Sequence, residues 1–158
     1  MIIRPATDAD GAALAALIAR IFAEYPGCRF VDAEFPELKA PASHYRAQGG
    51  QLFIAEDAGR LVGSLAATMT RSPGTAELFK VYVAADQRGS GLAQRLFAEG
   101  EALVRGAGAR TIVLWSDTRF ARGHAFYEKL GFARQPVSRY LADASATWEF
   151  CFRKALAG

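Results

Sequence analysis

The segment from Val81 to Ala93 constrains the fold of this chain most, because it has the pattern of a strand, a glycine turn and a helix start. Gly89 and Gly91 let the backbone pass close to a ligand, since glycine adopts conformations that other residues avoid. The first N–H groups of a helix lack intrahelical acceptors and carry partial positive charge. With Arg88 beside them they would cradle a pyrophosphate. Two glycines can equally make a tight turn without a ligand, and this segment alone leaves both readings open.

Two other phosphate-binding loops do not fit this segment. A Walker loop needs a lysine followed by Ser or Thr after its last glycine, and this chain has Leu92 and Ala93 instead. A dinucleotide-binding fingerprint needs a third glycine, where this chain has Gln94. The sequence therefore favours neither ATP hydrolysis nor hydride transfer.

Hydrophobic periodicity predicts the elements around the turn. Thr7 and Asp10 have the spacing of a capping box, and apolar residues recur at helical period from Leu14 to Tyr25 until Pro26. An irregular loop and a short helix over 41–48 follow. The remaining predictions are strands over 51–56, 61–70 and 75–83, a helix lined by Leu92, Leu96 and Leu103, a strand over 111–115, a helix over 120–130, and strands over 137–141 and 147–152.

This element order predicts the fold class. A helical crossover between Val83 and Thr111 requires a parallel strand pair, whereas the three-strand meander requires antiparallel pairs. We therefore expect a mixed, mostly antiparallel sheet of six to seven strands with helices on both faces. The chain has 158 residues of which 51% are apolar, so we expect residues 1–158 to form one domain.

Composition excludes several classes of function. The formal net charge of +3 comes without a Lys/Arg block, so we expect no nucleic-acid partner, although an anionic cofactor would suit it. Cys28 and Cys151 lack the spacing of a zinc site or a disulfide framework, and we expect no metal. The longest apolar stretch, from Ala12 to Ala19, is about half of what spans a bilayer. We expect a cytoplasmic protein without a signal peptide or membrane contact.

Two motifs in order resemble those of the GNAT superfamily of N-acetyltransferases. The segment from Arg88 to Ala93 matches the family's Q/R-x-x-G-x-G/A motif, and the strand before it stands where the family's fourth strand stands. The segment from Ala125 to Phe132 is similar to the family's A-x-x-F-Y-E-x-x-G-F signature. The resemblance extends over nearly the whole chain and is weakest over 28–48.

The resemblance implies acetyl-CoA as the acetyl donor. In the family the fourth and fifth strands splay apart, which leaves main-chain groups free to pair with the pantetheine arm as an added strand would. Many members take a polar contact from an asparagine three residues before an alanine, and Phe120 and Gly123 align with those two positions here. The contact would then come from Ser116 or from the Trp115 carbonyl. The implied cofactor-binding residues are Val81, Tyr82, Val83, Arg88, Gly89, Ser90, Gly91, Leu92, Ala93 and Ser116.

By the same resemblance, Tyr127 would protonate the departing CoA thiolate. A tyrosine with a pKa near 10 is protonated at neutral pH, and a thiol titrates near 8.5. The alternative is that Tyr127 is a core aromatic, since Phe126 and Phe132 flank it.

A base must free the acceptor amine of a proton, and Glu77 at the start of the fourth strand is the candidate. By strand alternation it shares a face with Phe79, Val81 and Val83 unless a bulge resets the register. A structural acid at a strand end is the alternative. The weaker candidates are His44, His124, Asp117 and Glu34.

The expected function is transfer of an acetyl group to a primary amine of a small molecule or a protein. The acceptor pocket should come from residues 28–45 and the C-terminal strands, where the charged and polar candidates are Arg29, Asp32, Glu34, Glu37, Tyr45 and Arg46. A non-catalytic acyl-CoA-binding sensor is the alternative, and the resemblance leaves homodimer formation open.

Overall fold

The computed structural model describes every residue from Met1 to Gly158. It contains four α-helices and seven strands. In chain order they are β1 (Ile2–Pro5), α1 (Gly11–Phe22), α2 (Pro41–Ala47), β2 (Gln51–Asp57), β3 (Arg60–Met69), β4 (Thr75–Val83), α3 (Leu92–Gly106), β5 (Thr111–Asp117), α4 (Ala121–Lys129), β6 (Ala133–Tyr140) and β7 (Trp148–Ala155). No helix combines the length and the apolar character that a membrane span requires.

All seven strands join one sheet in the order β1-β2-β3-β4-β5-β7-β6. Only β4 and β5 run parallel, and the other neighbours are antiparallel. The helix α3 makes the crossover between the two parallel strands, as the sequence predicts. The mixed, mostly antiparallel sheet is confirmed.

The parallel pair separates part-way along its length. Pairing runs from Thr75 opposite Thr111 to Leu78 opposite Leu114 and stops there, although β4 continues to Val83 and β5 to Asp117. The edge of β4 beyond Leu78 therefore faces a gap rather than a strand. The predicted splay between the fourth and fifth strands is confirmed.

A β-bulge interrupts β4 inside the splayed region. Ser64 of β3 pairs with Tyr82, but Ala66, two residues on, pairs with Phe79, so β4 carries one extra residue. Lys80 lies in this bulge with a φ of +54°. The bulge shifts the alternation of side chains, so Glu77 and Phe79 share a face with Tyr82. Val83, which would share that face in a regular strand, therefore lies on the opposite face.

The helices cover both faces of the sheet. On one face α3 packs against β3, where a Cβ on Gly63 would lie 3.1 Å from Leu92 and Leu96 side-chain atoms. On the other face Phe22 at the end of α1 packs edge-on against Tyr82, with ring centres 6.3 Å apart. The core between these layers includes the fully buried Leu14 of α1.

The structure differs from two sequence predictions, the burial of Leu103 and the start of β6. Leu103 is 37% exposed, because the buried stripe of α3 drifts along the helix from Leu96 towards Gly100 and Val104. The strand β6 begins at Ala133 rather than at 137, since its mostly exposed side chains carry no alternating pattern. A proline within that strand is tolerated because β6 is an edge strand.

A close backbone contact holds the turn before α2 against the start of α1. An added Cβ on Gly11 would lie 2.0 Å from the carbonyl oxygen of Leu38, which is rigid backbone. We expect Gly11→Ala to lower the free energy of unfolding by about 1–3 kcal/mol through overpacking. Gly106→Ala is the control, because nothing lies within 4 Å of its added Cβ and alanine favours a helix. Urea unfolding measures the free energies, and equal values for the parent and both variants would contradict the expected clash at Gly11.

Candidate active site

The splay opens a cleft of about 430 Å³ between the start of α3, α4 and the end of β4, which we call the larger cleft. Nine of the ten residues predicted to bind the cofactor line it. The tenth, Ser90, does not, because its hydroxyl donates to the carbonyl of Gln87 at 2.5 Å and accepts from the Leu92 N–H at 3.3 Å. Ser90 therefore fixes the shape of the turn.

The turn at the start of α3 presents free hydrogen-bond donors. Gly89 and Gly91 have φ values of +78° and +85°, in the left-handed region that glycine adopts without strain. Five backbone N–H groups have no acceptor within the protein, and they belong to Gly89, Ser90, Gly91, Ala93 and Gln94. Unpaired donors at a helix N-terminus are the arrangement that binds phosphate groups.

The charged residues that line the larger cleft are all cations, namely Arg88, Arg122 and Lys129. Glu24, just beyond α1, accepts from both Arg88 nitrogens at 2.6 and 2.9 Å and from Arg122 at 3.4 Å. The hydrogen bonds from Arg88 hold the pKa of Glu24 below its usual value. No motif in the sequence predicted a role for Glu24 or Arg122, because the two residues that pair are far apart in the chain.

Tyr127 of α4 lies at the inner end of the larger cleft. Its ring packs against Phe132 and Phe152, with ring centres 5.9 and 5.6 Å away, as a core aromatic would. Its hydroxyl nevertheless makes no hydrogen bond within the protein, and the residue lines the cleft. Burial raises the pKa of Tyr127, so the hydroxyl is protonated at neutral pH.

A smaller cleft of about 270 Å³ adjoins the larger one and is lined by the segment after α1, by β4 and β5, and by the C-terminal strands with the loop between them. It shares five lining residues with the larger cleft: Val81, Tyr82, Ser116, Phe120 and Tyr127. The two clefts therefore meet at the splayed end of β4. A group entering from either side reaches the same point.

Carboxylates outnumber cations in the smaller cleft. Its acids are Glu34, Glu77, Asp117, Asp143 and Glu149, and its cations are Arg29, Lys80 and Arg139. Asp117 pairs with Arg119 at 2.8 Å, and Glu149 pairs with Arg139 at 2.8 Å. Glu77 has neither an ion pair nor a hydrogen bond. Burial raises the pKa of the Glu77 carboxyl above its usual value, although the nearby Arg139 opposes the shift more strongly than Glu149 supports it.

The profile of the acetyltransferase (GNAT) family matches residues 14–132, most of the chain. The chain belongs to this family. A mycothiol acetyltransferase of Salinispora tropica is 33% identical over 135 residues, which cover 83% of this chain and 43% of that protein. This GNAT chain therefore spans less than half the length of that curated relative.

Solved structures share the GNAT fold over the whole chain. A GNAT-family acetyltransferase from Staphylococcus aureus Mu50 superposes with a TM-score of 0.83 at 17% identity, covering 99% of both chains. The structure of yncA from Salmonella typhimurium, solved with its cofactor acetyl-CoA, gives a TM-score of 0.73 at 20% identity and covers 100% of this chain and 95% of that chain. The family and the fold predicted from the sequence are confirmed.

Of the four weaker base candidates, two line the smaller cleft and two do not. Glu34 and Asp117 line the smaller cleft, but Asp117 is held by Arg119. His44 bonds Gln48 at 2.9 Å outside both clefts, and the His124 ring bonds the Asp117 carbonyl oxygen at 2.9 Å. Geometry therefore leaves Glu77 as the unpaired carboxylate nearest the start of the splay.

Only some of the residues predicted for the acceptor pocket line the smaller cleft. Among the six candidates over 28–45 and beyond, Arg29 and Glu34 line the smaller cleft, whereas Asp32, Glu37, Tyr45 and Arg46 do not. Tyr45 instead packs in the core against Phe79. Lys80 lines the cleft and was missed, because a lysine within a strand carries no signal until the bulge is known.

Proposed function

We propose that this GNAT protein transfers the acetyl group of acetyl-CoA to a primary amine by direct attack. The observation that carries the proposal is the meeting of the two clefts at Tyr127. The larger cleft supplies unpaired N–H donors and three cations for an anionic donor. The smaller cleft supplies an excess of carboxylates, which favours a cationic acceptor such as a protonated amine.

On the donor side, the five unpaired backbone N–H groups of the turn, those of Gly89, Ser90, Gly91, Ala93 and Gln94, hold the pyrophosphate. Arg88 and Arg122 contact Glu24 in this structure. When CoA binds, its phosphates replace Glu24 as their partner, because the phosphates carry more negative charge. The unpaired edge of β4 at Val81 and Val83 pairs with the amide-bearing pantetheine arm, as a strand would. The fit agrees with the Salmonella neighbour, which holds acetyl-CoA.

In the smaller cleft, Glu77 accepts a proton from the ammonium of the acceptor, directly or through water. The neutral amine then attacks the thioester carbonyl carbon. Tyr127 donates its hydroxyl proton to the sulfur as the carbon–sulfur bond breaks, and the proton that the acetylated nitrogen loses restores the Tyr127 hydroxyl, directly or through water. Both residues line the smaller cleft, and Tyr127 reaches the larger one as well.

Thiol release from acetyl-CoA with a panel of diamines, aminosugars and peptide N-termini tests the proposed function. Turnover on at least one amine is the expected result. Binding of CoA without turnover on any amine would favour the non-catalytic sensor. The replacement of the family's asparagine and alanine by Phe120 and Gly123 is the sequence feature that supports this alternative.

Glu77→Gln is expected to lower turnover by about 100-fold between pH 6 and 7 and far less near pH 10. In the parent, the raised pKa makes the Glu77 carboxylate a stronger base than a solvated carboxylate, and near neutral pH an alkylamine is mostly charged and needs a base. Near pH 10 free amine is abundant, so the base matters less. The pH–rate profile of the variant measures this difference.

Glu34→Gln is the matched control, because it removes one negative charge from the same cleft. We expect it to change KM and to keep the parental shape of the pH profile. If the pH–rate profile of Glu77→Gln ran parallel to that of the parent, another group would remove the proton of the acceptor ammonium.

A further inference from the structure

Lys80 is the one lysine whose side chain lines the smaller cleft. Its side chain is 13% exposed, and its ammonium lies 5.3 Å from the centre of the Phe35 ring. The chain has three other lysines. Lys39 and Lys129 are exposed, and Lys154 lies beside Glu101 and over the Phe97 ring, outside this cleft.

Lys80 is held weakly for a buried charge. Its nearest acid is Glu37, with 3.8 Å between Nζ and Oε1, too long for a hydrogen bond. That Glu37 oxygen is a buried polar atom without any hydrogen-bond partner. Burial lowers the pKa of Lys80 although Glu37 and Glu149 oppose the shift. More of this amine is neutral, and thus nucleophilic, than for a solvated lysine.

The backbone places this amine in the cleft at the expense of strain. A left-handed conformation at Lys80 is unfavourable for a residue with a Cβ. The Ser64 hydroxyl donates to the Lys80 carbonyl at 2.6 Å and fixes the strained residue. Strain of this kind clusters at functional sites. The next residue, Val81, lines both clefts, so Lys80 adjoins the junction where acetyl transfer is proposed.

We propose that Lys80 is a self-acetylation site of this protein. The inference rests on the proposed function, because the same donor and the same cleft serve it. When no acceptor occupies the smaller cleft, Lys80 is the amine that the protein itself presents there.

The reaction balances with the groups already described. The neutral Lys80 Nζ attacks the carbonyl carbon of the acetyl thioester, a carbon–nitrogen bond forms and the carbon–sulfur bond breaks. The sulfur takes a proton from Tyr127, and the nitrogen loses one to Glu77 or to water. The products are acetyl-lysine and free CoA thiol.

Acetylation of Lys80 removes its charge and leaves Glu37 without a cation. The added acetamide also occupies part of a cleft of about 270 Å³. We therefore expect the modified protein to turn over acceptor amines more slowly than the unmodified one.

The test incubates the full chain with acetyl-CoA and no amine, and peptide mass spectrometry follows acetylation at all four lysines. Lys80 is expected to gain acetyl at least about tenfold faster than Lys39, which reports uncatalysed chemistry on an exposed lysine. Gly91→Glu should abolish the label at Lys80 and leave that at Lys39 unchanged. Lys39→Arg is the matched control and should keep the label at Lys80.

Equal labelling of Lys80 and Lys39, or labelling of Lys80 that persists in Gly91→Glu, would overturn the inference. The amine panel run on the same preparation separates the two proposals. Amine turnover with Lys80 unlabelled overturns self-acetylation alone, whereas neither turnover nor label overturns both.

Discussion

Gly91→Glu is expected to weaken CoA binding by at least about 100-fold in a chain that still folds. The substitution places a carboxylate where the unpaired N–H groups at the start of α3 would hold the pyrophosphate. Repulsion between that carboxylate and the phosphates adds to the loss of space. The left-handed backbone at φ +85° costs a residue with a Cβ about 1–2 kcal/mol, less than the usual stability of a domain.

Gly108→Glu is the matched control at the opposite end of α3. Its φ is +91°, and, as at Gly91, nothing lies within 4 Å of an added Cβ. The backbone strain is therefore similar, but the position is remote from both clefts. Calorimetric titration with CoA and thermal melts on both variants check the prediction. If the folded Gly91→Glu protein bound CoA with the affinity of the parent, the pyrophosphate would not bind at this turn.

Tyr127→Phe is expected to lower turnover by about 100-fold while acetyl-CoA affinity stays nearly unchanged. The change removes one oxygen and keeps the ring that packs on Phe132 and Phe152. Because the hydroxyl makes no hydrogen bond within the protein, we expect a change in unfolding free energy of less than about 0.5 kcal/mol. Rate and stability should therefore separate.

Tyr82→Phe is the control for this substitution, since Tyr82 lies at the same junction of the clefts and its hydroxyl is also unbonded. Burial raises the pKa of Tyr82 as it does that of Tyr127, so both phenols are protonated at neutral pH. We expect Tyr82→Phe to keep turnover within about threefold of the parent. Parental turnover in a folded, CoA-binding Tyr127→Phe protein would exclude Tyr127 as the acid.

The sequence was sufficient where local chemistry decides structure. Thr7 and Asp10 form the predicted capping box, with the Thr7 N–H donating to Asp10 at 2.7 Å. The glycine turn before α3 has the predicted positive φ values, because only glycine adopts them at low cost. The parallel pair follows from the helical crossover. These features depend on neighbouring residues, so their signals survive in a linear pattern.

The ion pairs around the two clefts could not be predicted from the sequence. Glu24 meets Arg88 and Arg122 across 64 and 98 residues of chain, and no periodicity encodes such a contact. Asp117, which the sequence offered as a base, pairs with Arg119 only two residues away, but its burial depends on the tertiary structure.

The sequence by itself determined the family, the order of the elements and the glycine turn, since periodicity and motif spacing are properties of the chain. Only the tertiary structure decided which side chains share the acceptor cleft. A single extra residue in β4 reverses the alternation that sequence reasoning must assume, because side chains in a strand change face at every residue. That bulge sets Glu77 on the face of Tyr82 and places Lys80 in the smaller cleft, where desolvation and distant acids, rather than its neighbours in sequence, set its chemistry.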